Sequence, residues 1–592
     1  MKYSDQITDW LVQMNYTHCF YVGGGNIMHL IESFSHKLIC IPVIHEVAAG
    51  IAAEYFNETS DGKKALVLVT AGPGLTNIVT AFAGAFLESR ELLVIGGQVK
   101  TADLAKGKLR QRGIQEIDGV SIVKPIAVKS VLLEEVVDFN DFFNLVNHVG
   151  IFRKGPVFIE MPIDVQARDV PFTSQIDHNK VGIEYPPTDD RQIIKVIEKI
   201  NAAKRPLLLI GGGVNRATTR KLKQSLASLK IPIATTWNAA DRIPSNQPNY
   251  VGRPNTWGQR SANLILQQSD LVIAVGTRLG MQQTGFNWQS FVPKGEVIQV
   301  DIDQAELDKA HPKVALPILG DANAFLSKLV NNNLSANENA AHLDWLAYTR
   351  LIRTSIPLVE PINQTRSEYI SPYIFAEKLS QVSAENDVIV PCSSGGAFTI
   401  MMQAFEQKSG QTIVTNKGLA SMGYGLSGAI GAAFAHPDKR VILVEGDGGF
   451  SQNIQEIGTA SINKLNLKIF IFDDSGYASI RATQRNYFGG RYVGCDRTTG
   501  LGLPNWEKLF MAWGVPSIRV NVGYESDEQF KQMFDSKETS AFIVSIDPEQ
   551  TYFPKITSKI TANGAMESNP LHLMTPNLTE DQFSALAKYL IN

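Results

Sequence analysis

The sequence predicts an α/β protein of three doubly wound parallel-sheet domains followed by a C-terminal tail. Three observations predict it. Short apolar runs of strand length alternate with longer amphipathic stretches, and Gly-rich turns join them, as in βα units with buried parallel strands. This rhythm occurs three times along the chain. The 592 residues also exceed what one hydrophobic core serves, at about 150 residues per domain.

The first domain is expected over 1–172, with strands ALVLVT (65–70), LLVIGG (92–97) and VFIEMP (157–162). A connector bearing Pro and Asp follows near 170–190. The second domain spans 190–335, with PLLLIGGG (206–213), LVIAVG (271–276) and EVIQVDID (296–303). The polar stretch NNNLSANENAAHLD (331–344) marks the next boundary. The third domain spans 368–555, with DVIVPC (387–392), VILVEGDGG (441–449) and KIFIFDD (468–474). The tail, 556–592, ends in a short amphipathic helix.

Composition excludes several functions. Acidic and basic residues nearly balance, 58 against 55, and are interspersed, so the net charge of −3 leaves no basic stripe for nucleic acid or an anionic membrane. No run of about 18 apolar residues is present to cross a bilayer. The opening MKYSDQITDWLVQMN lacks the apolar core of a secretory leader. Cys19, Cys40, Cys392 and Cys495 are far apart without metal-type spacing, which suits a reducing compartment, so a cytoplasmic location is expected.

The most informative segment is Gly446-Asp447-Gly448-Gly449-Phe450, directly after VILVE. Taken alone it reads as a strand-to-helix turn. Its glycines permit close approach of backbone to phosphate, a helix beginning near Asn453 offers free N–H groups to an anion, and Asp447 is a hard oxygen ligand for Mg²⁺. A second strand, KIFIF, then ends in Asp473-Asp474-Ser475-Gly476. Asp474 lies 27 residues after Asp447. A strand–helix–strand crossover of that length returns the chain beside its start. Both carboxylates are thereby expected at the C-terminal edge of neighbouring parallel strands, where such sheets bind ligands.

Near the N-terminus, Ile41-Pro42-Val43-Ile44-His45-Glu46 leads into a small-residue helix, AAGIAAEYF. A zinc-protease HExxH is excluded, because it needs a histidine where Ala49 stands. The remaining readings of Glu46 are a helix-start acid favoured by the dipole and a functional carboxylate in an apolar pocket.

GDGGFSQNIQEIGTA followed by NLKIFIFDDSGY resembles the thiamine-diphosphate fingerprint GDG-x-F…NN, and the HE segment resembles that of acetolactate synthase large subunits. The resemblance spans nearly the whole chain. It implies a pyrimidine-binding domain, a central Rossmann-like domain and a diphosphate-binding domain, in that order. It implies Mg²⁺ on Asp447, Asp474 and the carbonyl of Gly476, with Asp473-Asp474 standing where the family usually has Asn-Asn. Glu46 becomes the acid that activates the aminopyrimidine of thiamine diphosphate.

Further residues follow from the same resemblance. Gly72, Pro73, Gly74 and Asn77 correspond to the GPG-x-xN segment around the pyrimidine, and Gly97-Gln98-Val99 to a GQV strand end. Gln115 corresponds to the glutamine of FQE, with Ile114 in place of the aromatic. Lys129 corresponds to the lysine of TKH, against the alternative of a solvated strand-end charge. Met422, in Gly418-Leu419-Ala420-Ser421-Met422-Gly423-Tyr424-Gly425, corresponds to the apolar wedge beneath the cofactor. Ser394, Gly395 and Gly396, together with Gly446, Gly448 and Gly449, are expected near the diphosphate. Arg481 stands where acetolactate synthases carry a Trp that helps choose the second keto acid, so it is read as a clamp for an anionic acceptor or as a surface charge. Gly211, Gly212, Gly213, Gly276, Arg278, Asp301 and Asp321 resemble the flavin segments of the central domain, so FAD is expected there.

The implied reaction is decarboxylation of pyruvate or a similar 2-keto acid, with addition of its two-carbon unit to a second carbonyl compound. Three other readings stay open. One is transfer of an acetyl branch to a nucleotide-linked keto-sugar. Another is a plain decarboxylase or oxidase, and the third is a non-catalytic regulatory relative. A homodimer or homotetramer is implied, with Glu46 of one protomer facing the metal motif of another. The tail is expected to fold over the site.

Overall fold

The computed structural model describes residues 1–171, 188–332, 339–560, 564 and 566–591. Most of the 170–190 connector and the middle of the 331–344 boundary lie outside the described residues.

Three parallel sheets form, each with helices on both faces. The first holds β1 (Tyr16–Tyr21), β2 (Ile39–Pro42), β3 (Lys64–Val69), β4 (Leu92–Gln98), β5 (Lys129–Leu132) and β6 (Pro156–Pro162), in the order β2-β1-β3-β4-β6-β5. The second holds β7 (Pro206–Ile210), β8 (Ile233–Thr235), β9 (Tyr250–Gly252), β10 (Leu271–Val275), β11 (Glu296–Asp301) and β12 (Leu316–Leu319), in the order β12-β11-β10-β7-β8-β9. Then come β13 (Val388–Val390), β14 (Thr412–Ile413), β15 (Val441–Gly446), β16 (Leu467–Asp473), β17 (Ser517–Val520) and β18 (Ser540–Ser545). Of these, β13, β15, β16, β18 and β17 lie side by side in that order. The central strands are apolar on both faces, as a sheet covered twice requires; every residue of β4, β6, β7 and β10 is buried.

The chain packs into two compact units. One holds the first and third sheets; the other holds the second sheet and the C-terminal segment. Within the first unit, one continuous apolar cluster runs from Phe20, Val67 and Val94 to Val390, Leu443 and Ile543. Helix Glu46–Thr59 crosses helix Tyr424–Ala435 so closely that side chains are excluded at the contact. A Cβ on Gly431 would lie 2.0 Å from the Ala52 carbonyl oxygen, and one on Gly428 would lie 2.5 Å from the Tyr55 ring. Ala52 on one helix and Gly428 and Gly431 on the other allow this approach, while Gly50 gives room to Ala81 of helix Pro73–Glu88.

A buried polar network crosses the same junction. Arg90 Nη1 donates to Glu54 Oε1 at 2.8 Å, Asn416 Nδ2 to the same oxygen at 2.9 Å, and the Tyr424 hydroxyl to Glu54 Oε2 at 3.0 Å. The other Arg90 amino group donates to the Thr415 carbonyl. Glu54 is fully buried, so an opposite charge and three donors are what make its carboxylate tolerable there.

In the second unit the described part of the tail packs against the central sheet. Ile556, Leu571, Met574, Leu586 and Ala587 join Leu207, Leu209, Val272 and Ala274 in one cluster. Arg260 donates to the carbonyls of Met574 and Pro576 and pairs with Glu360. The tail is thus part of the second unit's core. Among the described residues no helix is long and apolar enough to cross a membrane.

Candidate active site

The first sheet gathers its functional side chains at its C-terminal edge. Glu46 is the first residue of its helix. His45 caps that helix, its Nδ1 accepting from the Val47 N–H. The Glu46 carboxylate is buried and accepts from Asn77 Nδ2 at 3.0 Å. Asn77 belongs to helix Pro73–Glu88, entered through Gly72 at φ +66°. Glycine is required at 72, because a Cβ would meet the Gln115 carbonyl oxygen at 2.4 Å. Glu46, Gly72, Asn77 and Gln115 are therefore brought together, although 69 positions separate Glu46 from Gln115.

Behind them stands Glu160 on β6, which the sequence reading left as a strand residue. Gln98 Nε2 donates to its Oε1 at 3.1 Å and to the Ile117 carbonyl at 3.0 Å. Burial pushes the Glu160 carboxyl up to about 8, and the nearby charges of Asp118 and Glu116 add to the rise. Glu116 in turn accepts from the backbone N–H groups of Ala105, Arg112 and Gly113 and so shapes the loop that carries Gln115. Lys129 does not join this group. It begins β5, in register with Val157 near the start of β6, at the opposite edge of the sheet.

The third sheet supplies the second cluster. β15 and β16 are neighbours, with Gly446 beside Phe472, so Asp447 and Asp474 emerge at adjacent strand ends. Asp447 Oδ1 accepts from the Gly448 N–H at 2.6 Å and Oδ2 from the Gly476 N–H at 3.0 Å. Asp474 also takes a hydrogen bond from Gly476. Burial raises the Asp447 carboxyl far above its ordinary range, and repulsion from Asp474 and then Asp473 raises it further. Asp474 is raised by burial and eased by Arg481. Two buried carboxylates sharing one peptide N–H beside a Gly-rich turn are a donor set that fits a hard divalent cation. Among the described residues no group of three His, Cys, Asp or Glu converges, so a backbone oxygen such as that of Gly476 is needed to complete the set.

The local geometry differs from the sequence expectation at the helix start and at Arg481. The helical turn begins at Asp447 itself (Asp447–Phe450), not near Asn453. Asn453 is a kink, at φ −134° and ψ 33°, and its side chain donates to the Gly423 carbonyl at 2.7 Å. Asp473 and Asp474 point to different partners: Asp473 pairs with Arg519 at 2.9 Å, Asp474 with Arg481 at 2.9 Å. In sequence Arg481 reads as an acceptor clamp or a surface charge; its guanidinium is buried and bound to Asp474, which rules out the surface charge. An Arg placed seven residues after an Asp, across a tight turn, turns back onto it.

Met422 lies on the loop facing this cluster. Gly423 follows at φ +81°, and its N–H donates to the Gly449 carbonyl at 3.0 Å. Ser393 Oγ donates to the Ser421 carbonyl, tying Ser394, Gly395 and Gly396 to the same loop. Glu456 joins the two clusters and was missed by the sequence reading. Its Oε1 accepts from the N–H groups of Ile44 at 3.1 Å and His45 at 3.0 Å, the residues just before Glu46.

In the second unit the glycine turn lies where the sheet order reverses, between β7 and β10. Gly211 N–H donates to the Val275 carbonyl and Gly213 N–H to the Gly276 carbonyl, both at 2.9 Å. Nearby, Gln299 Nε2 donates to the Thr277 carbonyl, while its buried Oε1 has no partner among the described residues. Arg278 is half-buried, with its carbonyl held by Lys309, and Asp301 accepts from the Asp303 N–H. Asp321 is committed to capping helix Ala322–Asn331, accepting from the N–H groups of Asn323 and Ala324.

These three segments match three family models. Residues 1–122 match the thiamine pyrophosphate enzyme N-terminal TPP-binding domain, 193–329 the central domain, and 394–545 the C-terminal TPP-binding domain. A probable acetolactate synthase large subunit of Methanococcus aeolicus is 30% identical over 89% of this chain and 88% of its own length. The chain belongs to the thiamine pyrophosphate enzymes of the acetolactate synthase large-subunit type. The acetolactate synthase isozyme 1 large subunit of Escherichia coli is 29% identical, over 90% of this chain and 92% of its own. The large subunit of Corynebacterium glutamicum is 28% identical, over 91% and 86%. The protein is accordingly a thiamine-diphosphate-dependent, transferase-type carboligase of the acetolactate synthase kind.

Proposed function

We propose that the protein removes CO₂ from pyruvate or a similar 2-keto acid and adds the remaining two-carbon unit to a second carbonyl compound. The observation that carries this reading is the convergence of buried Asp447 and Asp474 on the Gly476 N–H at neighbouring strand ends. Asp447, Asp474 and the Gly476 carbonyl would hold Mg²⁺. Gly446, Gly448, Gly449, Ser394, Gly395 and Gly396 would border the diphosphate. When bound, thiamine diphosphate supplies the electron sink that makes loss of CO₂ feasible.

The protein's own residues govern position and protons. Glu46 holds a proton at its carboxylate on the aminopyrimidine side, and Asn77 fixes the orientation of Oε2. Glu456 anchors the backbone ahead of Glu46. Gln115 positions the substrate, and Met422 offers an apolar edge to the cofactor. A nucleotide-linked acceptor loses the clamp that Arg481 would have offered its phosphates, because Arg481 is engaged by Asp474. A second keto acid stays the acceptor proposed here on the likeness to acetolactate synthases. FAD is inferred to lie at the Gly211–Gly213 turn, with Gly276 and Arg278 beside it, and the orphaned Gln299 Oε1 supports an occupant there.

The working form is a homodimer or homotetramer. Ile114, next to Gln115, is 86% exposed, which a covering second copy accounts for. Free thiols at all four cysteines support a cytoplasmic setting. Mass spectrometry of products from pyruvate with a panel of keto acids, aldehydes and keto-sugars tests the reading. A product two carbons longer than a keto-acid acceptor is expected; release of free acetaldehyde alone would overturn it.

A further inference from the structure

We propose that Arg481 is a built-in counter-ion for Asp474 and sets how strongly the site between Asp447 and Asp474 takes a divalent cation. The inference rests on the reading above, in which those two carboxylates hold the ion. Arg481 is 3% exposed and lies in the first turn of helix Ala478–Tyr487. Its Nη2 donates to Asp474 Oδ1 at 2.9 Å and to the Asp474 carbonyl at 2.6 Å. One amino group thus grips side chain and backbone of the same residue and fixes the rotamer of Asp474. The hydrogen bond is to Oδ1 alone.

The turn is shaped to admit the guanidinium. Ser475 and Gly476 both take positive φ, +67° and +146°, folding the chain back on itself. A Cβ on Gly476 would lie 3.0 Å from Arg481 Nη1 and 2.1 Å from the Cys495 carbonyl oxygen. Asp496 also feels the Arg481 charge, but Asp474 holds the direct bond.

The charge arithmetic gives the consequence. Asp447, Asp474 and Arg481 sum to −1, whereas the two carboxylates alone sum to −2. A buried pair of like charges is costly, and a fixed guanidinium offsets one of the two once both carboxylates are ionised around a cation. Asp474 and Arg481 are two of the three positions of this segment, with Asp473, at which the chain departs from the family pattern, and they are in contact. The departures offset one another in charge. Arg481 is a positioning residue on this view, acting on the ion only through Asp474.

The test is a double-mutant cycle read as Mn²⁺ affinity, by electron paramagnetic resonance on the full-length protein with thiamine diphosphate present. Arg481→Met is expected to tighten Mn²⁺ about tenfold, the scale on which outer partners tune metal sites. Asp474→Asn is expected to weaken it at least about a hundredfold, because a charged ligand is lost. The double variant should bind Mn²⁺ about as weakly as Asp474→Asn, not the roughly tenfold tighter that independent effects would give, because Arg481 acts on the ion only through Asp474. Arg481→Lys keeps the charge and should stay near the wild type, which covers the case in which Arg481→Met fails to fold. Strictly additive effects, or loosened binding in Arg481→Met, would overturn the counter-ion role alone. No Mn²⁺ binding by the wild-type protein would overturn it together with the metal-site reading.

Discussion

The edges of the first and third sheets are built on the same plan and filled with opposite electrostatics. At the first, Glu46 meets a neutral amide, Asn77, and behind it stands a carboxyl, Glu160, that burial keeps protonated. At the third, three aspartates and two arginines crowd the ends of two strands. The difference teaches how one enzyme divides its work. A proton-handling acid needs surroundings poor in fixed charge, so that its own charge state can change. A metal and diphosphate anchor needs charges that are fixed and balanced.

Substitutions at the two edges should therefore fail differently. Asp447→Ala should abolish cofactor loading, exceeding the ~100-fold that loss of an outer metal partner costs; calorimetric titration with Mg²⁺ and thiamine diphosphate checks it. Glu46→Gln should lower kcat by about 10²–10⁴-fold while the same titration changes little. Weak cofactor binding in Glu46→Gln would break the contrast, because it would make Glu46 an anchor as well.

Gly431→Val probes what holds the two edges in one unit. A side chain there collides with the Ala52 carbonyl, and a loss of about 3 kcal/mol in denaturant unfolding is expected. Glu160→Gln is expected to act through pH. The unfolded chain loses the Glu160 proton near 4.5 and the folded chain keeps it to about 8. Unfolding in that window releases a proton, so the Glu160 contribution is whole below about pH 4.5 and declines as pH rises through 8. Glutamine lacks this decline, so thermal unfolding should show a higher Tm for Glu160→Gln at about pH 9 and little difference at about pH 4. Asp473→Asn should have the smallest effect. Its bond to Arg519 is partly solvent-exposed and worth under about 1 kcal/mol, with Mn²⁺ affinity unchanged.

The sequence revealed most of what depends on local pattern. Apolar runs located the strands, the 27-residue crossover brought Asp447 and Asp474 to adjacent strand ends, and the family resemblance marked Gly72 and Met422. What escaped depends on contacts between distant segments. Glu456 holds the backbone at 44 and 45 from more than 400 residues away, and Glu54 finds Arg90, Asn416 and Tyr424 only after two sheets meet. Neither leaves a periodic or spacing signal. Arg481 was visible as an unusual residue, but its partner was not, since a turn with two positive φ values decides where it points.

The apolar cluster that joins Val67 to Leu443 carries a consequence for biosynthesis. A ribosome completes the first sheet's strands by residue 162, yet their partners begin only at 388. For roughly two hundred codons the face of helix Glu46–Thr59 waits without its mate while the intervening segment is translated and free to fold. The amino-terminal third thus depends on the last third to finish, and a nascent chain stalled near residue 385 would be a client for chaperones rather than half an enzyme.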